Sequence, residues 1–212
     1  VRNFFKQPFF ITILFLIIGV AVYFLTFIPY MMIGHSLKDV YLRQFSMYSY
    51  HAYLTATHPF SSPWWSWPLI SRPVWLFVSF LPQHRVSTIV CMGNPALWWV
   101  GIASVAGVAW EAITKRNKIC LFILTIFLFQ WLPYAFITRS LFLYHFYANV
   151  PFLVLATSLS INSGSPEKKT KILWIYLTAL TILFAVFYPV ISGYPIPYRY
   201  KEFLRWIRSW VF

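Results

Sequence analysis

Residues 58–73 read His-Pro-Phe-Ser-Ser-Pro-Trp-Trp-Ser-Trp-Pro-Leu-Ile-Ser-Arg-Pro. Four prolines in this short run keep it from crossing a bilayer as a helix, because each removes a backbone donor and obstructs the preceding turn. Its three tryptophans also keep it from being an ordinary solvated loop. Trp and Tyr settle where bilayer meets water, since their rings are apolar and their N–H or O–H groups need a partner. The stretch is therefore expected to lie along a membrane face between two spans. There His58 and Arg72 would meet something half lipid and half polar.

Outward from this stretch the chain is 60% hydrophobic and 22% aromatic, and its 212 residues contain only four acidic ones. A soluble domain carries about a quarter of charged residues, whereas this chain has 10%. The composition is that of an integral, multi-pass membrane protein. Its formal charge of +13 comes from short basic clusters beside apolar runs, where they set topology and meet anionic headgroups, so nucleic acid is not expected as a partner. Cys91 and Cys120 fall near the starts of successive spans, at opposite faces, and no disulfide is expected. The chain starts at Val1, and its first apolar run is too long for a signal peptide and lacks a cleavage site, so it reads as a retained span with residues expected upstream.

Five runs reach spanning length: 9–33, 96–113, 119–137, 141–161 and 172–191. They predict an all-α integral membrane fold. Residues 1–34 form the first transmembrane helix, 35–95 a long aromatic extracytoplasmic loop, 96–191 a four-helix transmembrane region and 192–212 an interfacial tail. Arg2, Lys6, Lys115, Arg116, Lys118, Lys168, Lys169 and Lys171 cluster in short segments on one side, which the positive-inside rule makes cytoplasmic. The tail carries Phe203, Leu204, Trp206, Ile207, Trp210 and Val211, the pattern of a helix lying flat at the interface.

Two constellations could carry chemistry. In the long loop, His58, Trp64, Trp65 and Trp67 either cap the bundle as an interfacial plug or wall a polyprenyl-phosphate and sugar site. Arg72 would be its phosphate clamp, because a guanidinium matches phosphate oxygens in a fork. In the second, Thr138, Phe142, His145 and Asn149 form one stripe if the segment is helical, with Arg139 at the surface. His145 and Asn149 serve either a ligand or helix-to-helix hydrogen bonds, and Arg139 either snorkels or binds phosphate. Glu111 and Lys115 suit an i,i+4 pair, and Asp39 supports Lys38 or Arg43. The five histidines lack ligand spacing, so no metal is expected, and no cofactor motif is present.

The ordered words His58-Pro59 to Trp64-Trp65-Ser66-Trp67-Pro68-Leu69, Arg72-Pro73, Gly93-Asn94-Pro95-Ala96-Leu97-Trp98-Trp99, Trp131-Leu132-Pro133-Tyr134, Arg139 to Tyr147, Pro151-Phe152 and Phe187-Tyr188-Pro189 resemble the C-terminal four-span region of the protein O-mannosyltransferase family. The resemblance implies a GT-C-type glycosyltransferase that moves mannose from a polyprenyl-phosphate donor to Ser or Thr hydroxyls of an acceptor protein on the extracytoplasmic face. Such transfer needs a carboxylate base. The family's acidic pair lies in the first outer loop of its N-terminal half and has no counterpart here, so the base is expected upstream, in a missing N-terminal half or a partner subunit. Lipid-phosphate contacts then fall to Arg72 and Arg139. Site lining falls to His58, Trp64, Trp65, Trp67, His145 and Asn149. The alternative is a non-catalytic membrane module that binds a polyprenyl lipid or a partner; a small transporter fits less well, because the spans lack paired charges and broken helices.

Overall fold

The computed structural model describes residues 6–212, with side chains from residue 8 onward, so Arg2 and the side chain of Lys6 lie outside the described residues. The chain forms two units that divide after Leu54. In the first, α1 (Lys6–Leu25) is followed by the short α2 (Ile28–Met32) and by α3 (Leu37–Ala52). The loop expected from residue 35 thus begins with a helix. A capping box starts it: Ser36 Oγ accepts from the Asp39 N–H at 3.2 Å, and the Asp39 carboxylate accepts from Ser36 N–H and O–H at 2.7 Å each. Those donors, the backbone one first, hold the Asp39 carboxyl below its usual range. Asp39 therefore caps its own helix instead of supporting Lys38 or Arg43. Arg43 donates to the Tyr30 hydroxyl at 3.1 Å, and the Tyr30 ring stacks on His35 at 3.8 Å.

The second unit holds α4 (Pro95–Thr114), α5 (Lys118–Trp131), α6 (Val150–Asn162) and α7 (Pro166–Ser192), which alternate in direction. Local sequence sets each start. Asn94 and Asn117 accept from the first free N–H groups of α4 and α5, and proline occupies the first turn of α4, α6 and α7. Along α4, Gly101, Ser104, Val105, Val108 and Ala112 are buried at helical spacing, a small-residue face that lets α6 approach with Leu153, Ala156 and Thr157. Glu111 and Lys115 form the expected ion pair at 3.0 Å.

Among the described residues, four helices are long and apolar enough to cross a membrane: Pro8–Met32, Pro95–Thr114, Lys118–Phe136 and Pro166–Ser192. The run 141–161 is built differently from the expected single helix. It is a 3-10 segment, Leu143–Asn149, continued by the 13-residue α6. At about 2.0 and 1.5 Å per residue the two together extend roughly 33 Å, enough to pass through hydrocarbon.

The mostly helical membrane fold also contains a sheet. Strands β1 (Val74–Leu81) and β2 (Arg85–Cys91) form an antiparallel hairpin, and β3 (Ile196–Pro197) pairs with the other edge of β2. Positive φ at Gln83 and His84 makes the tight reversal. Helix α7 ends on Gly193 at φ +79°, whose carbonyl accepts from Ser87 Oγ at 2.6 Å, so the sheet is tied to the bundle. The tail differs from a flat helix: α8 (Tyr198–Phe203) is short, and Leu204, Trp210 and Phe212 beyond it are fully buried. Trp210 and Phe212 of the tail complete the core, whereas Phe203 and Trp206 stay exposed.

Glycine marks the closest approaches. A Cβ at Gly101 would lie 2.7 Å from Leu153 Cβ, and one at Gly93 would overlap the Trp98 ring, whereas at Gly107 the nearest atom is 3.9 Å away. Gly101→Ala should therefore cost about 1–3 kcal/mol by overpacking, and Gly93→Ala at least as much, because a buried indole must move. Gly107→Ala should be neutral or stabilising by up to about 1 kcal/mol. Thermal unfolding in detergent checks the order, and equal melting temperatures for all three would contradict this packing.

Candidate functional site

At the end of the bundle opposite the lysine-bearing turns, the chain from Ser62 to Ile70 is held through its own carbonyls. Trp67 of the segment itself donates to Ser62 at 3.2 Å, and indole N–H groups from across the fold reach the rest: Trp131 to Trp64 at 3.0 Å, Trp98 to Trp67 at 3.1 Å, Trp99 to Leu69 at 3.3 Å and Trp210 to Ile70 at 2.6 Å. The segment coils as a 3-10 turn, Trp64–Leu69, and Ile70 follows in the left-handed region at φ 52°. A side chain there is strained, and the indole of Trp210 holds the turn by its carbonyl. Ser209 Oγ donates to the next carbonyl, that of Ser71.

The two constellations read from sequence meet at this turn. Ser62 N–H donates to the Leu141 carbonyl at 2.8 Å, and Ser140 Oγ donates to the Ala56 carbonyl at 2.8 Å. Trp67 stacks on His145 at 5.7 Å with planes 15° apart, Tyr134 meets both rings edge-on, and His58 meets Phe142 edge-on at 5.1 Å. Nδ1 of His145 lies 2.8 Å from the Phe142 carbonyl, which fixes the ring. The expected stripe of Thr138, Phe142, His145 and Asn149 does not form, because 138–142 is irregular and 143–149 is a 3-10 turn. Proline at 133 and the carbonyl contacts of residues 140 and 141 divert the backbone from the α-helix.

Exposure sorts the candidates. His58 and Trp65 are exposed, the latter by 59%, and Trp64 and His145 are half-buried. Trp67 and Asn149 are 0% exposed, so they cannot line a ligand surface directly as expected. Trp67 is instead a platform beneath His145. Asn149 is buried with neither its amide nitrogen nor its oxygen hydrogen-bonded among the described residues. Arg72 is exposed and Arg139 half-exposed, and neither is in an ion pair or side-chain hydrogen bond among the described residues. Both guanidiniums are thus available to an anion.

Sequence reading missed five members of this assembly: Trp98, Trp99, Trp131, Tyr134 and Trp210. The first four sit in the motif words quoted above, and their role was visible there only as recurrence of Trp and Tyr. For Trp210 the local signal pointed to the membrane surface.

An apolar bundle capped by an aromatic 3-10 turn and a small sheet, with exposed or half-exposed guanidiniums at the cap, defines a multi-pass membrane protein. Residues 36–210 match the family model described as the C-terminal four-transmembrane region of protein O-mannosyltransferase, and the chain belongs to that family. It is 27% identical over 183 residues to the polyprenol-phosphate-mannose–protein mannosyltransferase of Mycobacterium tuberculosis, covering 77% of this chain and 35% of that protein. The corresponding protein of Mycolicibacterium smegmatis is 28% identical over 84% of this chain and 38% of its own length. Among solved structures, the Saccharomyces cerevisiae Pmt1–Pmt2 complex bound to the sugar donor superposes with a TM-score of 0.69 at 18% identity, over 84% of this chain and 27% of that one. The chain thus spans little more than a third of the length of the curated relatives it matches.

The clamp has a measurable worth. Trp210→Phe keeps the ring and removes its donor to a buried carbonyl, and should cost about 1–3 kcal/mol. Asn149→Leu removes an unpaired buried amide and should be neutral or stabilising by about 1–2 kcal/mol. Chemical denaturation in detergent reads both, and a large loss at Asn149 would show that its amide is paired in the native protein.

Proposed function

We propose that this chain forms the C-terminal part of a polyprenyl-phosphate-mannose-dependent protein O-mannosyltransferase that transfers mannose to Ser or Thr hydroxyls on the extracytoplasmic face. The observation that carries the reading is the combination of the family match with two guanidiniums that no carboxylate neutralises, beside the aromatic cap. Arg72 and Arg139 hold the donor's phosphate. As the bond between sugar and phosphate breaks, negative charge grows on the leaving phosphate, and fixed cations at a dry boundary stabilise that charge more than water does. His58, Trp64, Trp65 and His145 present the surface met by sugar and acceptor, with Trp67 and Asn149 supporting it from below.

The base that takes the acceptor's proton comes from outside these residues. Of the chain's four carboxylates, Asp39 is engaged in its helix cap, Glu111 pairs with Lys115, and Glu202 pairs with Arg205 at 2.9 Å. Glu167 stands in the lysine-bearing turn at the other end of the bundle. The longer relatives supply room for a catalytic carboxylate, and a partner subunit is a second source.

In the complete enzyme, Arg72→Ala and Arg139→Ala should each lower transfer from polyprenyl-phosphate-mannose to a Ser/Thr peptide by about 10²–10³-fold with membrane insertion unchanged. Transfer at the parent rate by both variants would remove the phosphate role. Sidedness is read separately: a Trp65→Cys variant in intact cells should react with a membrane-impermeant maleimide, and an Arg116→Cys variant should react only after permeabilisation. The reverse pattern would place the cap in the cytoplasm and exclude the reading.

A further inference from the structure

Between α6 and α7, at the end of the bundle away from the arginines, lies a cleft of about 450 Å3 that the proposed transfer does not use. Its walls are apolar over most of their length, with Val154 from one helix and Leu177 and Leu180 from the other. From Lys169 to Leu180 it follows α7 for about 16 Å at ~1.5 Å per residue. One end is polar. Lys169 Nζ donates to Asn162 Oδ1 at 2.8 Å, and Thr170 stands beside them. No carboxylate pairs with Lys169 among the described residues, and Lys168 and Lys171 flank it with only Glu167 to oppose them.

A long apolar slot that opens at a net positive, hydrogen-bonding rim matches an amphiphile with an anionic head and a hydrocarbon tail. We infer that the α6–α7 cleft binds an anionic glycerophospholipid of the leaflet on the lysine side, with an acyl chain along Leu177 and Leu180 and the phosphate on Lys169, Asn162 and Thr170. Charge complementarity selects the head. The depth of the slot selects a lipid over a free anion. A chain seated there fills the space that α6 and α7 leave between them and braces α7, the helix that carries the sheet through Gly193.

The 212-residue chain, purified in mild detergent and offered phosphatidylglycerol or phosphatidylcholine with identical acyl chains, tests this by native mass spectrometry. Phosphatidylglycerol should be retained about tenfold over phosphatidylcholine. Lys169→Glu should erase that preference, and Leu177→Trp, which fills the slot, should lower retention of both lipids. Lys118→Gln, in the other basic turn, should change neither. Equal retention of the two lipids by the parent, or an undiminished preference in Lys169→Glu, overturns the assignment. Displacement of the bound lipid by millimolar inorganic phosphate would show a headgroup site without a chain slot and overturns it equally. The circular dichroism of each variant, matched to the parent, separates loss of binding from loss of fold.

Discussion

The cap of this protein depends on backbone carbonyls that tryptophan indoles satisfy, four of them from distant parts of the chain. A 3-10 turn followed by a left-handed residue leaves acceptors pointing outward, and near a bilayer no bulk water is present to receive them. Indoles from α4, from the end of α5 and from the tail supply the donors, while their rings fill the space around Leu143, Phe146 and Leu204. Each such bond contributes about 1 kcal/mol net, but leaving a buried carbonyl unmet costs more. The cost of losing any one donor is therefore what makes the turn rigid. It also explains why a chain with 11 tryptophans places so many near one short segment.

Rigidity there has a chemical consequence. His145 is held between Trp67, Tyr134 and Tyr144, and its Nδ1 is fixed by the Phe142 carbonyl, so the ring can present only one edge outward. Arginines placed at the ends of two such constrained segments keep their charges near the cap without neutralising partners. A site that must stabilise charge developing on a leaving phosphate gains from groups that do not need to reorganise.

The opposite end of the molecule follows different physics. Small residues on α4 draw α6 close, whereas α6 and α7 part around a cleft lined by leucines and closed by lysine. Helix packing in a membrane has no water to expel, so close contact requires small side chains, and helices without them leave room for lipid.

Composition and the spacing of apolar runs alone determined that the chain is a mostly helical membrane protein. The basic turns between the runs marked where one span ends and the next begins, because charge beside an apolar run is a local signal. The ordered aromatic and proline words pointed to the family on the same local basis, and Arg72, Arg139, His58 and His145 were legible as candidates from their chemistry. Tertiary structure decided the rest. A three-stranded sheet arises from a hairpin and a tail strand more than a hundred residues apart, and Trp210 and Phe212 enter the core through partners far along the chain. Trp67 and Asn149 look like surface chemistry in sequence and prove fully buried, because burial is set by what packs from elsewhere and not by a residue's own character. The 3-10 path of 143–149 is likewise fixed from outside, by carbonyls and N–H groups of the Ala56–Ser62 segment pulling on Ser140 and Leu141.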